Sequence, residues 1–273
     1  LHRNRGDGTF EDVSAKSGIA AHKGRGMGLA FADFDRDGLL DFYVTNDKLP
    51  SFLFRNRGDG TFEETALLAG AALPEHGQDI SAMAVDFRDY DNDGLPDIHV
   101  TALAGESFPL YRNQGKGLFQ DVTYRTGLGP VVAGRSGWSN GLFDFDNDGW
   151  KDLFTANSHV NDSIDQFEAF AYRLPNSVFR NRGDGTFADA SADSGLAAGP
   201  ARAHRGAAFA DLDDDGRLDV VVTALEGPTE VWRNRSGAAG HWLRLRLVGT
   251  KSNRDGIGAV VRIASASDPR WRE

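Results

Sequence analysis

The sequence contains no cysteine in its 273 residues. Disulfide bonds and thiolate chemistry are therefore excluded, although export is not, because bound Ca²⁺ can hold loops together where disulfides otherwise would. No apolar run is long enough to cross a membrane as a helix. The formal net charge is −10 and no basic face is evident, so nucleic acid binding is not expected.

Familiar catalytic signatures are also missing. The seven histidines show no His-Glu-x-x-His spacing, and no Gly-x-Ser-x-Gly nucleophile elbow is present. Arg-Gly-Asp occurs at 5–7, 57–59 and 182–184, always inside a repeated Asn-Arg-Gly-Asp-Gly-Thr-Phe turn. Turn geometry explains the glycine and aspartate there better than integrin binding does. We therefore expect no catalytic residue.

One pattern is present four times and complete each time: Asp-x-Asp-x-Asp-Gly-x-x-Asp, starting at residues 33, 89, 144 and 211. Clustered carboxylates repel one another unless a cation lies among them. Hard oxygen ligands in a short loop suit Ca²⁺ better than Mg²⁺ or a transition metal. Position 6 is always glycine, whereas position 7 varies freely, as expected of a residue that supplies only its backbone carbonyl.

The sequence therefore predicts about four Ca²⁺ ions, held by the aspartates at positions 1, 3, 5 and 9 and by the carbonyl at position 7. The predicted ligands are Asp33, Asp35, Asp37, Leu39, Asp41, Asp89, Asp91, Asp93, Leu95, Asp97, Asp144, Asp146, Asp148, Trp150, Asp152, Asp211, Asp213, Asp215, Arg217 and Asp219. Position 2 is always apolar and is expected to point into a core; its residues are Phe34, Tyr90, Phe145 and Leu212.

A metal-free acidic surface turn is the alternative for any one copy, because single loop matches can be accidental. Four complete copies favour the metal site. The predicted ligands include 16 of the 40 acidic residues, and four Ca²⁺ ions would contribute +8 and leave a formal charge of −2. The acidity is therefore explained by metal binding rather than by basic partners.

A second signature follows the loops, at residues 54–62, 111–119 and 179–187, with partial copies at 1–10 and 231–235. Each unit contains short runs rich in Phe, Val and Thr between Gly and Asp turns. In the first unit these runs are 28–34, 41–46, 51–56 and 61–65. This pattern predicts four short antiparallel strands per unit, as in a β-propeller blade. Strands, not helices, flank each loop, which argues against an EF-hand.

These units resemble FG-GAP (VCBS) repeats, the blades of integrin-α-like propellers, in which the acidic loop joins two strands and holds Ca²⁺. Residues 241–259 resemble the start of an ASPIC/UnbV domain, and the pairing is similar to the cartilage acidic protein family and its bacterial relatives. The resemblance implies an all-β fold of four-stranded antiparallel blades, part of a seven-bladed β-propeller. It also implies two domains, 1–240 and 241–273, in what we expect to be a fragment of a longer protein.

The third unit carries an insertion at residues 158–177. Its apolar spacing predicts a short helix over 163–172 that ends near Pro175. Insertions of this kind are often decorated connections between strands. The other interpretation is a recognition element at one end of the propeller.

Two functions remain compatible with these features. The first is an exported, non-catalytic calcium-binding propeller that binds a protein or glycan, for example in adhesion. Low-affinity calcium loops suit a secreted, periplasmic or cell-surface location with millimolar calcium. The second is a calcium-dependent enzyme scaffold, such as a polysaccharide-degrading protein. We favour the first, because metal binding already explains every acidic cluster and no spare carboxylate pair stands out.

Overall fold

The computed structural model describes residues 1–237, 242–251, 254–256, 259 and 261. Short antiparallel strands dominate it, as the alternation of Phe- and Val-rich runs with Gly and Asp turns predicts. A two-stranded hairpin comes first, formed by β1 (His2–Asn4) and β2 (Phe10–Asp12). Four sheets follow, and within each one the strands pair in chain order.

The strands of blade 1 are β3 (Gly26–Ala32), β4 (Asp41–Asn46), β5 (Phe52–Asn56) and β6 (Phe62–Glu64). Those of blade 2 are β7 (Val85–Arg88), β8 (Asp97–Val100), β9 (Leu110–Asn113) and β10 (Phe119–Asp121). Those of blade 3 are β11 (Gly137–Phe143), β12 (Asp152–Asn157), β13 (Ser177–Asn181) and β14 (Phe187–Asp189). The described strands of blade 4 are β15 (Ala203–Ala210), β16 (Asp219–Leu225) and β17 (Glu230–Trp232).

Short helical turns connect some of these strands: α1 (Ala66–Ala69), α2 (Leu128–Val132) and 3₁₀ turns at Ile19–Ala21, Ile164–Gln166 and Leu196–Ala198. In the described part of the chain, no helix has the length and apolar composition needed to cross a membrane. The first strands of neighbouring blades, β3, β7, β11 and β15, contact one another in chain order. The predicted propeller of four-stranded antiparallel blades is confirmed. A total of seven blades stays a prediction, since the described residues form four blades and one hairpin.

The hydrophobic core lies between the blades. The position 2 residue of one loop packs on the phenylalanine that starts the fourth strand of the next blade: Phe34 on Phe119, with ring centroids 5.8 Å apart, and Tyr90 on Phe187, at 5.9 Å. Both position 2 rings are buried. This burial confirms the core prediction for the first two loops.

The same prediction holds in the third loop and fails in the fourth. Phe145 is buried among Phe143, Phe154 and Phe209. Leu212 is 53% exposed. It belongs to the last acidic loop, and the described part of the chain contains no further blade with a phenylalanine to cover it.

An asparagine also joins each of blades 2, 3 and 4 to the blade before it. We call Asn56, Asn113, Asn181 and Asn234 the signature asparagines, because each follows the arginine of the second repeat signature. Asn113 Nδ2 donates to the carbonyl oxygen of Phe34 in blade 1 at 2.9 Å and to that of Pro96 in its own blade at 3.0 Å. Asn181 and Asn234 make the equivalent pairs of bonds, to Tyr90 and Lys151 and to Phe145 and Leu218.

The insertion of blade 3 differs from its prediction. Only Ile164–Gln166 is helical, as a 3₁₀ turn, rather than a helix over 163–172. The apolar side chains do not share a buried face, since Ile164 is buried while Phe167 is 75% exposed. The two ends of the insertion instead pair with each other in extended conformation. The His159 amide donates to the Tyr172 carbonyl at 2.8 Å, and Ser158 forms a β-bridge with Arg173.

The predicted second domain, 241–273, falls largely outside the described residues. Those of its residues that are described, 242–251, 254–256, 259 and 261, form no helix or strand. The boundary near residue 240 therefore stays a prediction.

The hydrogen bonds from the signature asparagines to the preceding blade are expected to stabilise the fold. Replacing the fully buried Asn113 by alanine leaves the carbonyls of Phe34 and Pro96 without their donor, and we expect a loss of about 2–3 kcal/mol in the free energy of unfolding. Asn56→Ala is the matched control, because the side-chain amide of Asn56 donates to Leu40 of its own blade in an exposed bond. Urea denaturation of both variants measures the difference, and equal losses would contradict the bridging role.

Candidate metal centres

Each acidic loop connects the first and second strands of a blade, and all four adopt the same backbone. Positions 4 and 6 have positive φ angles in every copy. The angles are 61° and 87° for Arg36 and Gly38, 58° and 87° for Asn92 and Gly94, 57° and 90° for Asn147 and Gly149, and 58° and 82° for Asp214 and Gly216. Glycine adopts such angles without strain, which explains its invariance at position 6.

The turn brings three carboxylates of each loop together, with one oxygen from each within 4.8 Å of the others. In the first loop these belong to Asp33, Asp35 and Asp37. In the other loops they belong to positions 1, 3 and 9: Asp89, Asp91 and Asp97; Asp144, Asp146 and Asp152; Asp211, Asp213 and Asp219. These four clusters could hold metal ions. Position 5 joins the cluster in the first loop only, and position 9 in the other three.

Backbone amides fix the aspartates in place. Asp33 accepts from the amides of Asp37 at 3.0 Å and Gly38 at 2.9 Å, one on each carboxylate oxygen. Asp37 Oδ1 accepts from the amide of Leu39 at 2.9 Å. The other loops repeat these bonds, and the position 7 amides of Leu95, Trp150 and Arg217 donate to Asp93, Asp148 and Asp215. Position 7 thus contributes its backbone to the loop in all four copies, while ligation by its carbonyl stays a prediction.

Position 9 has a structural role that the sequence pattern did not reveal. Asp97 is fully buried, and its two oxygens accept from the amide of Tyr90 at 3.0 Å and the amide of Asn113 at 2.8 Å. The equivalent carboxylates make the same two bonds and are at most 2% exposed; they are Asp41, Asp152 and Asp219. Each therefore ties the start of its loop to the third strand of the blade.

Burial and mutual repulsion act strongly on several of these carboxyls. Burial, with a smaller contribution from neighbouring aspartates, raises the pKa of Asp41 and of Asp152 to about 7. It raises the pKa of Asp89 to about 6 and that of Asp97 well above its usual range. Negative charge at these sites is unfavourable without a counterion, and a divalent cation among the oxygens would favour the ionised forms.

An arginine in the third strand of the same blade, or directly after it in blade 4, faces each loop, a partner that sequence reasoning missed. Arg55 Nε lies 2.5 Å from Asp35 and its Nη2 lies 3.3 Å from Asp37. Arg112, Arg180 and Arg233 pair in the same way with positions 3 and 5 of their loops. The available signal was the arginine that precedes every signature asparagine.

The donor set fits a hard divalent cation. In each of the first three loops, four ligand carboxylates face one arginine from the third strand, which leaves most of their charge unbalanced. The fourth loop also contains Asp214, and Arg217 and Arg244 pair with its aspartates beside Arg233. The four facing arginine side chains are 35–55% exposed, and ion pairs of that kind contribute little stability. All the clustered ligand atoms are carboxylate oxygens, which Ca²⁺ prefers.

Comparison with known proteins agrees with this architecture. The family model described as FG-GAP-like repeat matches residues 1–44, 40–100, 89–155 and 144–222. Cartilage acidic protein 1 of Homo sapiens is 28% identical over 253 residues, which cover 89% of this chain and 35% of that protein. The Mus musculus protein of the same name is 28% identical over 254 residues, covering 89% and 36%. The chain thus spans about a third of the length of these curated relatives.

Among solved structures, a lectin of Agrocybe aegerita described as recognising non-reducing terminal N-acetylglucosamine is 22% identical to this chain. The match covers 75% of this chain and 51% of the lectin, with a TM-score of 0.38. That likeness is too low to bear on the ligand of this chain.

Proposed function

The chain belongs to the FG-GAP-like repeat family, and on that premise we propose that it is an exported, calcium-binding β-propeller without catalytic activity that binds a protein or glycan. The observation that carries the proposal is the fourfold recurrence of one carboxylate geometry. Ca²⁺ would neutralise the repulsion within each loop and hold the first three strands of each blade together, because position 9 is already anchored to the third strand.

The aspartates at positions 1, 3, 5 and 9 and the carbonyl at position 7 would hold each ion. Within the described ranges, the four loops are the only groups of three or more His, Cys, Asp or Glu side chains whose ligand atoms converge. These carboxylates are committed to backbone amides, arginines and the proposed cation. Support for a non-catalytic role comes from this commitment, since no second constellation remains for general acid and base chemistry.

The proposed compartment follows from the same chemistry, and the domain assignment follows from the resemblance of residues 241–259 to an ASPIC/UnbV domain. Loops of this type commonly bind calcium at about 10⁻⁴–10⁻³ M in extracellular modules, so they fill where calcium is millimolar. A secreted, periplasmic or cell-surface location meets that requirement. We assign residues 1–240 to the propeller and 241–273 to the start of an ASPIC/UnbV domain.

The insertion of blade 3 is the segment best placed to contact a partner. Phe167 is 75% exposed and Val160 is 52% exposed, while pairing of Ser158 with Arg173 and of Leu174 with Arg202 anchors the base. Exposed apolar side chains on a loop with a fixed base are typical of binding surfaces.

Calcium binding is tested by titration calorimetry and thermal unfolding. We expect four ions per chain, and a stabilisation of about 1.4 kcal/mol per site when free calcium is ten times the Kd. Asp35→Ala should remove one ion and part of this stabilisation. Asp59→Ala is the matched control, because Asp59 lies in the exposed hairpin turn outside the acidic loops. A chain that binds no calcium at millimolar supply, with the same melting temperature in chelator, would contradict the proposal.

Partner binding is tested with the calcium-loaded chain on arrays of glycans and of extracellular matrix proteins. Phe167→Asp should weaken binding to any ligand found by about tenfold or more, since a charge replaces an exposed apolar contact. Leu68→Asp is the control, because Leu68 is 86% exposed on α1 of blade 1. Equal binding by both variants would make the insertion a decorated connection, and cleavage of an arrayed polysaccharide would overturn the non-catalytic assignment.

A further inference from the structure

We propose that the calcium loops of neighbouring blades are coupled, through hydrogen bonds from the side chain at position 4 of one loop to the glycine at position 6 of the next. This inference rests on the proposed calcium binding and adds to it that the sites do not fill independently. It assigns a role to position 4, which is not a predicted ligand.

The same link occurs between each pair of adjacent loops. Asn92 Nδ2 of the second loop donates to the Gly149 carbonyl of the third at 2.9 Å. Asn147 Nδ2 of the third donates to the Gly216 carbonyl of the fourth at 3.1 Å. The guanidinium of Arg36 in the first loop donates to the Gly94 carbonyl of the second. Donor and acceptor positions are identical in all three links, although the donor residue changes.

The position of each link explains how cation binding in one loop would affect the cation affinity of the next. Position 4 lies between the ligands at positions 3 and 5, so a cation that fixes those ligands also fixes the backbone that carries the donor. The acceptor glycine lies between position 5 and the predicted carbonyl ligand at position 7. When the first loop has bound its cation, the ordered side chain at position 4 donates to the glycine of the next loop. Part of that loop is then already fixed, so a second cation binds at a lower entropic cost. Coupling of this kind is reciprocal between the two sites.

The series of links ends at the fourth loop. Position 4 there is Asp214, which has no donor to offer when ionised. It instead accepts from the guanidinium of Arg244, whose Nη2 also lies 2.8 Å from Asp211. The fourth loop therefore receives a link from the third and extends none onward within the described residues. Its contact is with the segment that follows the blades.

Trp150 makes the third loop observable. It occupies position 7, where its amide donates to Asp148 at 2.9 Å, so its fluorescence should respond when this loop binds calcium. The signal is assigned by subtracting that of Trp150→Phe. The calcium concentration at the midpoint of this signal then reports the affinity of the third site, and calorimetry of the same variants gives the complete isotherm.

Asn92→Gly tests the link between the second and third loops. Glycine tolerates the positive φ of 58° at this position, so the change removes the donor and keeps the turn. We expect the Trp150 midpoint to rise about threefold to tenfold, the range that one hydrogen bond supplies. Lys116→Gly is the matched control, because Lys116 has a φ of 57° in the hairpin of the same blade. It should leave the midpoint unchanged.

A double-mutant cycle separates coupling from local damage. Asp91→Asn weakens the second site, and in the parent it should raise the Trp150 midpoint of the third. In the Asn92→Gly background the same change should have no further effect, since the link is already gone. An unchanged midpoint in Asn92→Gly, or a full Asp91→Asn effect in that background, would overturn the coupling while calcium binding stands. A parent that binds no calcium by calorimetry would overturn the proposed function as well.

Discussion

Repulsion among the aspartates of each acidic loop is the constraint on which the remainder of the structure depends. Four carboxylates lie in one turn, and two kinds of contact reduce their repulsion. Backbone amides donate to the carboxylates, and an arginine pairs with positions 3 and 5. One arginine cannot balance four carboxylates. Burial is the main cause of the raised pKa values of Asp41, Asp97 and Asp152, and the charge of neighbouring aspartates adds to it. A divalent cation at each site would balance these carboxylates.

The same loops are also junctions of the fold. The carboxylate at position 9 accepts hydrogen bonds from the start of the loop and from the third strand. In blades 2, 3 and 4, the signature asparagine also donates to the previous blade. In blade 2, for example, Asp97 accepts from Tyr90 and Asn113, and Asn113 donates to Phe34 of blade 1. The proposed cation sites, the core contacts and the interfaces between blades therefore share residues. A change at one site is expected to affect the packing of its neighbour.

The sequence was sufficient for the features that repeat locally. The acidic pattern predicted four like loops, and runs of Phe, Val and Thr predicted the strands; residues 41–46 match β4 (Asp41–Asn46). Contacts that a residue makes with another blade could not be predicted from the sequence of one repeat unit. The arginine of the second signature pairs with a loop between two other strands, and the asparagine bonds to the preceding blade. Leu212 is exposed, and the described residues contain no following blade that packs on it. The helix predicted for the insertion was wrong, because its apolar residues do not share one buried face.

Long-wavelength X-ray diffraction from crystals grown with calcium is the sharpest test of calcium binding by the four loops, because the anomalous signal of calcium locates each ion directly. We expect four anomalous peaks, one per acidic loop, each about 2.3–2.6 Å from the carboxylate oxygens of that loop and from its position 7 carbonyl. Loops without anomalous peaks in crystals that contain millimolar calcium, with the arginines alone balancing the aspartates, would contradict it.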